Sequence, residues 1–146
     1  VVRCSLVGQI ESPLEAFVNP SSFKIYQADT GLLVSKAGAQ RADILAGIGG
    51  TFMGALTENY VAQQLSAIGY PLHYWTRDNR AEIDFVVERQ GCVSAIEVKA
   101  GENTRSRSLS SLKKSHPGVR LIRLSTKPFG MNDGLRSIPL YAAFCL

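Results

Sequence analysis

The spacing of apolar residues changes several times along the chain, and each change marks an element. Residues 1–10 and 23–27 carry short β-like runs, separated by the turn signals Pro13, Asn19-Pro20 and Ser21-Ser22. They read as an edge or an appendage of the main fold. Asp29-Thr30 predicts the start of a short helix over 31–36, and Gly38, Gly47, Gly49 and Gly50 then predict a flexible connection with one helical turn inside it. From Thr51 the period is helical: Val61, Leu65 and Ile68 recur at three- and four-residue spacing until Gly69 and Pro71 end the run. Glu58 falls on the same stripe. A carboxylate thus occupies an inward position, where it needs a partner.

Three β-like runs follow, at 72–77, 82–88 and 92–100, joined by Asp78-Asn79-Arg80-Ala81 and by Arg89-Gln90-Gly91. They read as a meander. Residues 104–115 form an amphipathic pattern with Leu109 and Leu112 inward, closed by His116-Pro117-Gly118, and 119–125 is another apolar strand. A tail over 127–137, punctuated by Pro and Gly, leads to an expected last strand near 138–145. The order helix, three strands, helix, strand predicts an α/β (α+β) fold with a central mixed sheet flanked by helices. No internal repeat interrupts it.

With 146 residues, 45% hydrophobic and 19% charged, the chain suits one folded domain and not a disordered tail. No apolar run is long enough to cross a bilayer, so no membrane partner is expected. The chain opens on Val1 without the basic start and apolar core of a signal peptide, which suggests a fragment or cleaved product. Cys4, Cys92 and Cys145 are far apart and lack zinc or disulfide spacing, so reduced thiols and a cytoplasmic location are the expectation. A net charge of +4 is compatible with a polyanionic partner but decides little by itself.

The chemistry concentrates on the second and third strands of the meander. Strict alternation puts Ile83, Phe85 and Val87 on one face and Asp84 on the other, among Glu82, Val86 and Glu88. Glu97 and Lys99, two residues apart, point the same way. If the hairpin sets Asp84 beside Glu97, two carboxylates at about 4 Å repel by roughly 4 kcal/mol at an effective dielectric near 20. A divalent cation relieves that repulsion. Carboxylates and the Val98 carbonyl are hard ligands suited to Mg2+ or Mn2+, and Lys99 can neutralise a phosphoryl oxygen or orient a water. Phosphodiester hydrolysis is the matching reaction.

Asp84, twelve residues, then Glu97-Val98-Lys99, with Glu58 on a preceding helix, resembles the PD-(D/E)XK nuclease superfamily. The resemblance implies a restriction-endonuclease-like core, metal ligation by Asp84 and Glu97, catalysis by Lys99, and support of the metal by Glu58. Ile83 stands where the superfamily's proline would precede Asp84. Nearly the whole chain, through FKIYQADTGLL, GALTENYVAQQL, HYWTRDNRAEIDFVVE and IEVKAGENT, is similar to the C-terminal domain of prokaryotic AAA+-type ATP-binding proteins, long a domain of unknown function. That likeness implies an ATPase module ahead of this chain, with residues 1–22 the end of a winged-helix-like segment and 23–146 the nuclease-like domain. No GxxxxGK[ST] loop occurs, so the chain itself is not expected to hydrolyse ATP.

Blander roles stand beside these. Glu58 either supports the metal or is a structural carboxylate pairing with Arg80. Arg77 and Arg80 either grip phosphates or keep a turn soluble, while Arg105, Arg107 and Lys113 on the second helix are expected to meet a nucleic-acid backbone, DNA first. Trp75 and Tyr74 read as core, and His73 and His116 as surface or turn residues. Two functions remain open: a metal-dependent nuclease module of a larger ATPase, and a catalytically silent domain that binds nucleic acid or protein and regulates that ATPase.

Overall fold

The computed structural model describes residues 1–48, 50–77, 81–101 and 107–146. Its elements are β1 (Val2–Val7), a 3-10 turn (Leu14–Phe17), β2 (Val18–Tyr26), α1 (Thr30–Lys36), α2 (Arg41–Leu45) and α3 (Gly50–Ala67). There follow β3 (Leu72–Arg77), β4 (Ala81–Arg89), β5 (Cys92–Val98), α4 (Arg107–Ser115), β6 (Arg120–Ser125), β7 (Gly130–Asn132), β8 (Leu135–Pro139) and a 3-10 helix (Leu140–Cys145). The strands form one mixed sheet of eight in the order β2-β1-β3-β4-β5-β6-β8-β7. The predicted meander, β3-β4-β5, occupies its centre.

The first 26 residues are integral to this sheet. β1 runs parallel to β3 and antiparallel to β2, and Cys4, Val7, Ile10 and Leu14 are all buried. The expected boundary between residues 22 and 23 therefore falls inside β2. The chain leaves β2 for α1 at Asp29, whose Oδ1 accepts the Leu32 N–H at 2.7 Å and so caps the helix.

Two apolar layers hold the sheet, one on each face. On the first, Val61, Ala62 and Leu65 of α3 pack on Cys4, Phe85, Ile96, Ile122 and Leu124. On the second, Leu109 and Leu112 of α4 pack on Trp75, Ile83, Val86, Ala95 and Leu121. The three- and four-residue stripes predicted for both helices are the stripes they bury.

The C-terminal region departs from expectation. The final strand expected at 138–145 is instead a 3-10 helix from Leu140, because the apolar run follows Pro139 and its small residues Ala142 and Ala143 bury against the α3 face. The tail before it holds the β7-β8 hairpin, turned by Asp133 and Gly134 at φ 49° and 76°. Asn132-Asp133-Gly134 carried that hairpin signal. Gln90-Gly91, at φ 52° and 74°, turns β4 into β5 in the same way. No helix among the described residues is long and apolar enough to cross a membrane.

His73, expected at the surface, is only 4% exposed, with Nε2 at 3.1 Å from Glu15 Oε1. The reason is topological, since β3 lies between β1 and β4 and is covered on both faces.

This packing gives a direct stability test. Phe85, with no exposure, should cost about 3–5 kcal/mol when replaced by Ala, whereas Phe129, 57% exposed, should change stability by no more than about 0.5 kcal/mol. Urea denaturation of the two variants measures both, and comparable small effects would contradict the core described.

Candidate functional site

The site forms where β4 and β5 part. Their ladder runs from Arg89↔Cys92 to Phe85↔Ile96 and ends there, one step short of Asp84 and Glu97. Beyond it the Val98 N–H is donated to Asp84 Oδ2 at 2.7 Å, so a side chain continues the pairing that the β4 backbone leaves off. β5 stays paired with β6 on its other side through Val98↔Leu124, and the Lys99 N–H reaches the Leu124 carbonyl at 2.9 Å. A notch opens between the two strands, with Asp84 in it.

A bulge on β4 creates this position. His73 pairs with Val86 and Trp75 with Ile83, so two steps on β3 are matched by three on β4. Asp84 and Phe85 share the extra step. Ile83 consequently packs with Val86 on the α4 face, while Phe85 and Val87 pack on the α3 face. Strict alternation, which grouped Ile83 with Phe85 and Val87 and set Asp84 with Val86, fails at this residue.

Glu97 and Lys99 point the same way, as their spacing predicts: Lys99 Nζ lies 3.1 Å from Glu97 Oε1. Since Val93 and Ala95 pack on the α4 face and Ile96 and Val98 on the other, alternation directs Glu97 toward α4. Glu97 is only 6% exposed, and its Oε2 is buried without a hydrogen-bond partner among the described residues. The Lys99 side chain keeps about a third of its surface in solvent.

Glu58 approaches from the α3 face. Its Oε1 accepts from Lys24 Nζ at 3.1 Å and from the Tyr26 hydroxyl, and Lys24 also meets Glu82 Oε1 at 2.5 Å. The carboxylate on the apolar stripe thus finds its partners on β2. Burial opposes the charge on Lys24, but the hydrogen bonds and charges of Glu82 and Glu58 outweigh it and hold the ammonium above its ordinary range. Burial and the bond to Glu58 likewise keep the Tyr26 phenol protonated well beyond its usual pKa.

Asp84 takes the strain of this arrangement. Burial pushes its pKa up to about 7, despite the opposing hydrogen bond from Val98; the Glu58 and Glu97 carboxylates add to the rise and Lys24 counters it. Burial also raises the neighbouring Cys4 thiol to about 12, which leaves it an inert core residue.

Lys24 and Tyr26 escaped the sequence reading because nothing local ties them to a helix 32 and more residues away. The available signal was their position two apart on a β-like run within FKIYQADTGLL. That segment fits TENYVAQQL residue by residue: Tyr26 bonds Glu58, the Gln27 N–H donates to Asn59 Oδ1 at 2.8 Å, and the Thr30 N–H donates to Gln63 Oε1 at 3.0 Å. Asn59 returns the bond to the Gln27 carbonyl at 3.1 Å.

Of the expected phosphate-contacting residues, the side chains of Arg77 and Lys113 are described, and their contacts lie elsewhere. Arg77 ends β3 with its guanidinium 5.3 Å from the Trp75 ring centre, on a cleft of about 710 Å3 shared with Ile10 and His116. Lys113 is engaged by the β7-β8 turn, at 2.5 Å from Asp133 Oδ1. Arg80 and Arg105 lie outside the described residues, as does the side chain of Arg107. Among the described residues no three His, Cys, Asp or Glu side chains group as a metal cage. Asp84 and Glu97, with the Val98 carbonyl next to Glu97 in sequence, are the donors that flank the notch.

The chain belongs to the family described as "Domain of unknown function (DUF4143)", which matches residues 53–143. It is 36% identical over 124 residues to an uncharacterized protein of Mycobacterium bovis, and equally to one of Mycobacterium tuberculosis. These matches cover 80% of this chain and 27% of either relative, so the chain spans about a quarter of their length. No solved structure matches it. Lys24 and Tyr26 lie ahead of the segment that the family description covers.

Asp84 is more protonated in the folded chain than in the unfolded one between the ordinary carboxylate range and about pH 7. Stability from this group is therefore full at low pH and is lost as pH rises through that window. Asp84→Asn, which keeps an acceptor for Val98, should gain stability relative to the parent from pH 4.5 upward and level off above about pH 7. Lys24→Met should move that levelling point to higher pH, because it removes the charge that opposes the rise. Denaturation curves across the range read both, and parallel pH profiles for parent and Asp84→Asn would contradict the assignment.

Proposed function

We propose that this domain is a metal-dependent nuclease-type module of the PD-(D/E)XK kind, with a restriction-endonuclease-like core, that hydrolyses nucleic-acid phosphodiesters, DNA first. The observation that carries the reading is the notch itself: Asp84 and Glu97 flank the point where β4 and β5 part, and Lys99 lies 3.1 Å from Glu97. The order α3-β3-β4-β5-α4-β6 supports the core assignment. The greater length of the mycobacterial relatives supports a parent protein with further modules, for which an ATPase is the expectation from the sequence.

The residues fit Mg2+ or Mn2+ chemically. Glu97 Oε2 is a buried acceptor lacking a donor, and Asp84 is a carboxylate whose charge burial and two like charges make costly. Both defects are relieved by a divalent cation, which such oxygen donors prefer. Asp84, Glu97 and the Val98 carbonyl would hold it, and Glu58, itself held by Lys24 and Tyr26, would support it from the α3 side. When bound, such an ion supplies a water of lowered pKa and positive charge toward phosphoryl oxygens. Lys99, the most solvent-accessible charge of the notch pair, sets its ammonium against the phosphate and balances Glu97.

One observation favours a second reading, that of a silent regulatory module. Asp84, Glu58 and Glu97 each already have a protein donor or cation, in Val98, Lys24 with Tyr26, and Lys99. A site satisfied in this way needs no ion to be stable.

Manganese separates the readings. For the nuclease module, Mn2+ should raise the parent's melting temperature and leave that of Asp84→Asn unchanged, by linkage of binding to folding. Lys99→Ala should keep manganese affinity and lose cleavage of a DNA substrate by about 100-fold or more. No shift by Mn2+ in the parent, together with no cleavage, establishes the silent module instead. A Lys99→Ala protein that is destabilised and still cleaves would show that the lysine serves only Glu97.

A further inference from the structure

Glu97 is not alone in carrying a buried polar atom without a partner. Arg123 Nε is buried and makes no hydrogen bond among the described residues. The two residues are register partners on the parallel strands β5 and β6, so their side chains leave the same face of the sheet one strand spacing apart. Leu121, two residues before Arg123, packs with Ala95 in the α4 layer, which identifies that face. Yet Glu97 gives its Oε1 to Lys99, not to Arg123. A donor and an acceptor of opposite charge thus lie side by side, each unfilled.

A folded protein gains nothing from desolvating a guanidinium nitrogen in this way, so the arrangement points to a ligand. Its chemistry follows from the charges on each side of the notch. Glu58 and Glu82 both meet the cation Lys24 on the α3 side, whereas on the α4 side Lys99 pairs with Glu97 and Arg123 stands beside them with no ion pair among the described residues. The α4 side therefore accepts an anion. A guanidinium offers paired N–H donors in a plane, the geometry that matches two oxygens of one phosphate.

Resting on the nuclease reading above, we infer that Arg123 is a substrate-binding residue of this site, taking the non-bridging oxygens of a phosphodiester that enters from the α4 face across Glu97 and Lys99. β6 then contributes to the site alongside β4 and β5. Neither the DxnExK spacing nor the helical glutamate marks this residue, since it reaches the site only through the parallel β5-β6 register.

The test is binding of a short labelled DNA duplex to the 146-residue chain, followed by fluorescence anisotropy over a range of salt, with Ca2+ in place of Mg2+ so that binding is read without cleavage. Arg123→Met, which keeps most of the apolar stem, should weaken binding about tenfold and lower the log–log salt slope by about one, with the parent's melting temperature retained. Arg123→Lys should restore the slope through its charge but not the full affinity, because the paired donors are lost. If the parent binds and Arg123→Met matches it in affinity and slope, the inference fails and the nuclease reading stands. A destabilised Arg123→Met with an unchanged slope likewise shows a structural role only. If Arg123→Met does not fold, Arg123→Lys decides, since unchanged affinity in that variant overturns the bidentate role. A parent that binds no DNA at any salt removes the nuclease reading, and the inference with it.

Discussion

The hydrogen bond from the Val98 N–H to Asp84 is the interaction on which the site depends. Two adjacent antiparallel strands ordinarily stay joined by backbone bonds, and separating them leaves donors that must be satisfied elsewhere. Here the carboxylate takes one of those donors, so β4 and β5 can part without an orphaned N–H. The β4 bulge is what makes it possible, by adding the residue that turns Asp84 toward the neighbouring backbone. The same act buries the carboxylate between Glu58 and Glu97, and that burial raises its pKa to about 7. Strand geometry and site electrostatics thus have one cause.

The second constraint is the polar seam between β2, the start of α1, and α3. Tyr26 with Glu58, Gln27 with Asn59 and Thr30 with Gln63 form a ladder of bonds between residues 26–30 and 58–63, two segments that share no local pattern. Each buried polar group in it is costly alone and satisfied only in one register, so the seam fixes where β2 docks on α3. Lys24 is delivered by that docking to a point between Glu58 and Glu82. The N-terminal strands are therefore part of the acidic site and not a separate layer, although the segment matched by the family begins only at residue 53.

Across the sheet, charge divides in a way that gives the notch two unlike sides. Around Asp84, Lys24 meets two carboxylates on the α3 side, whereas Glu97 has Lys99 and Arg123 beside it on the α4 side. The proposed metal-binding and anion-binding roles can then share one site without cancelling, because the parted strands separate them. Surface ion pairs elsewhere, such as Lys113 with Asp133, contribute little to stability or to this field.

What the sequence determined by itself is whatever depends on neighbours a few residues apart. The stripe of Val61 and Leu65, the meander of β3 to β5, the inward Leu109 and Leu112, the Asp29 cap and the common direction of Glu97 and Lys99 were all legible, because helical and strand periods act locally. Glu58 was legible as a charge out of place, though not its partners. The tertiary structure alone decided the rest: that a bulge moves Asp84 off its alternating face, that His73 lies in a covered strand, that Leu140–Cys145 is a 3-10 helix, and that Lys24 and Arg123 stand beside the carboxylates. Those outcomes rest on strand register and on packing between elements, which no local pattern encodes and which only the competition among whole packings of the chain selects.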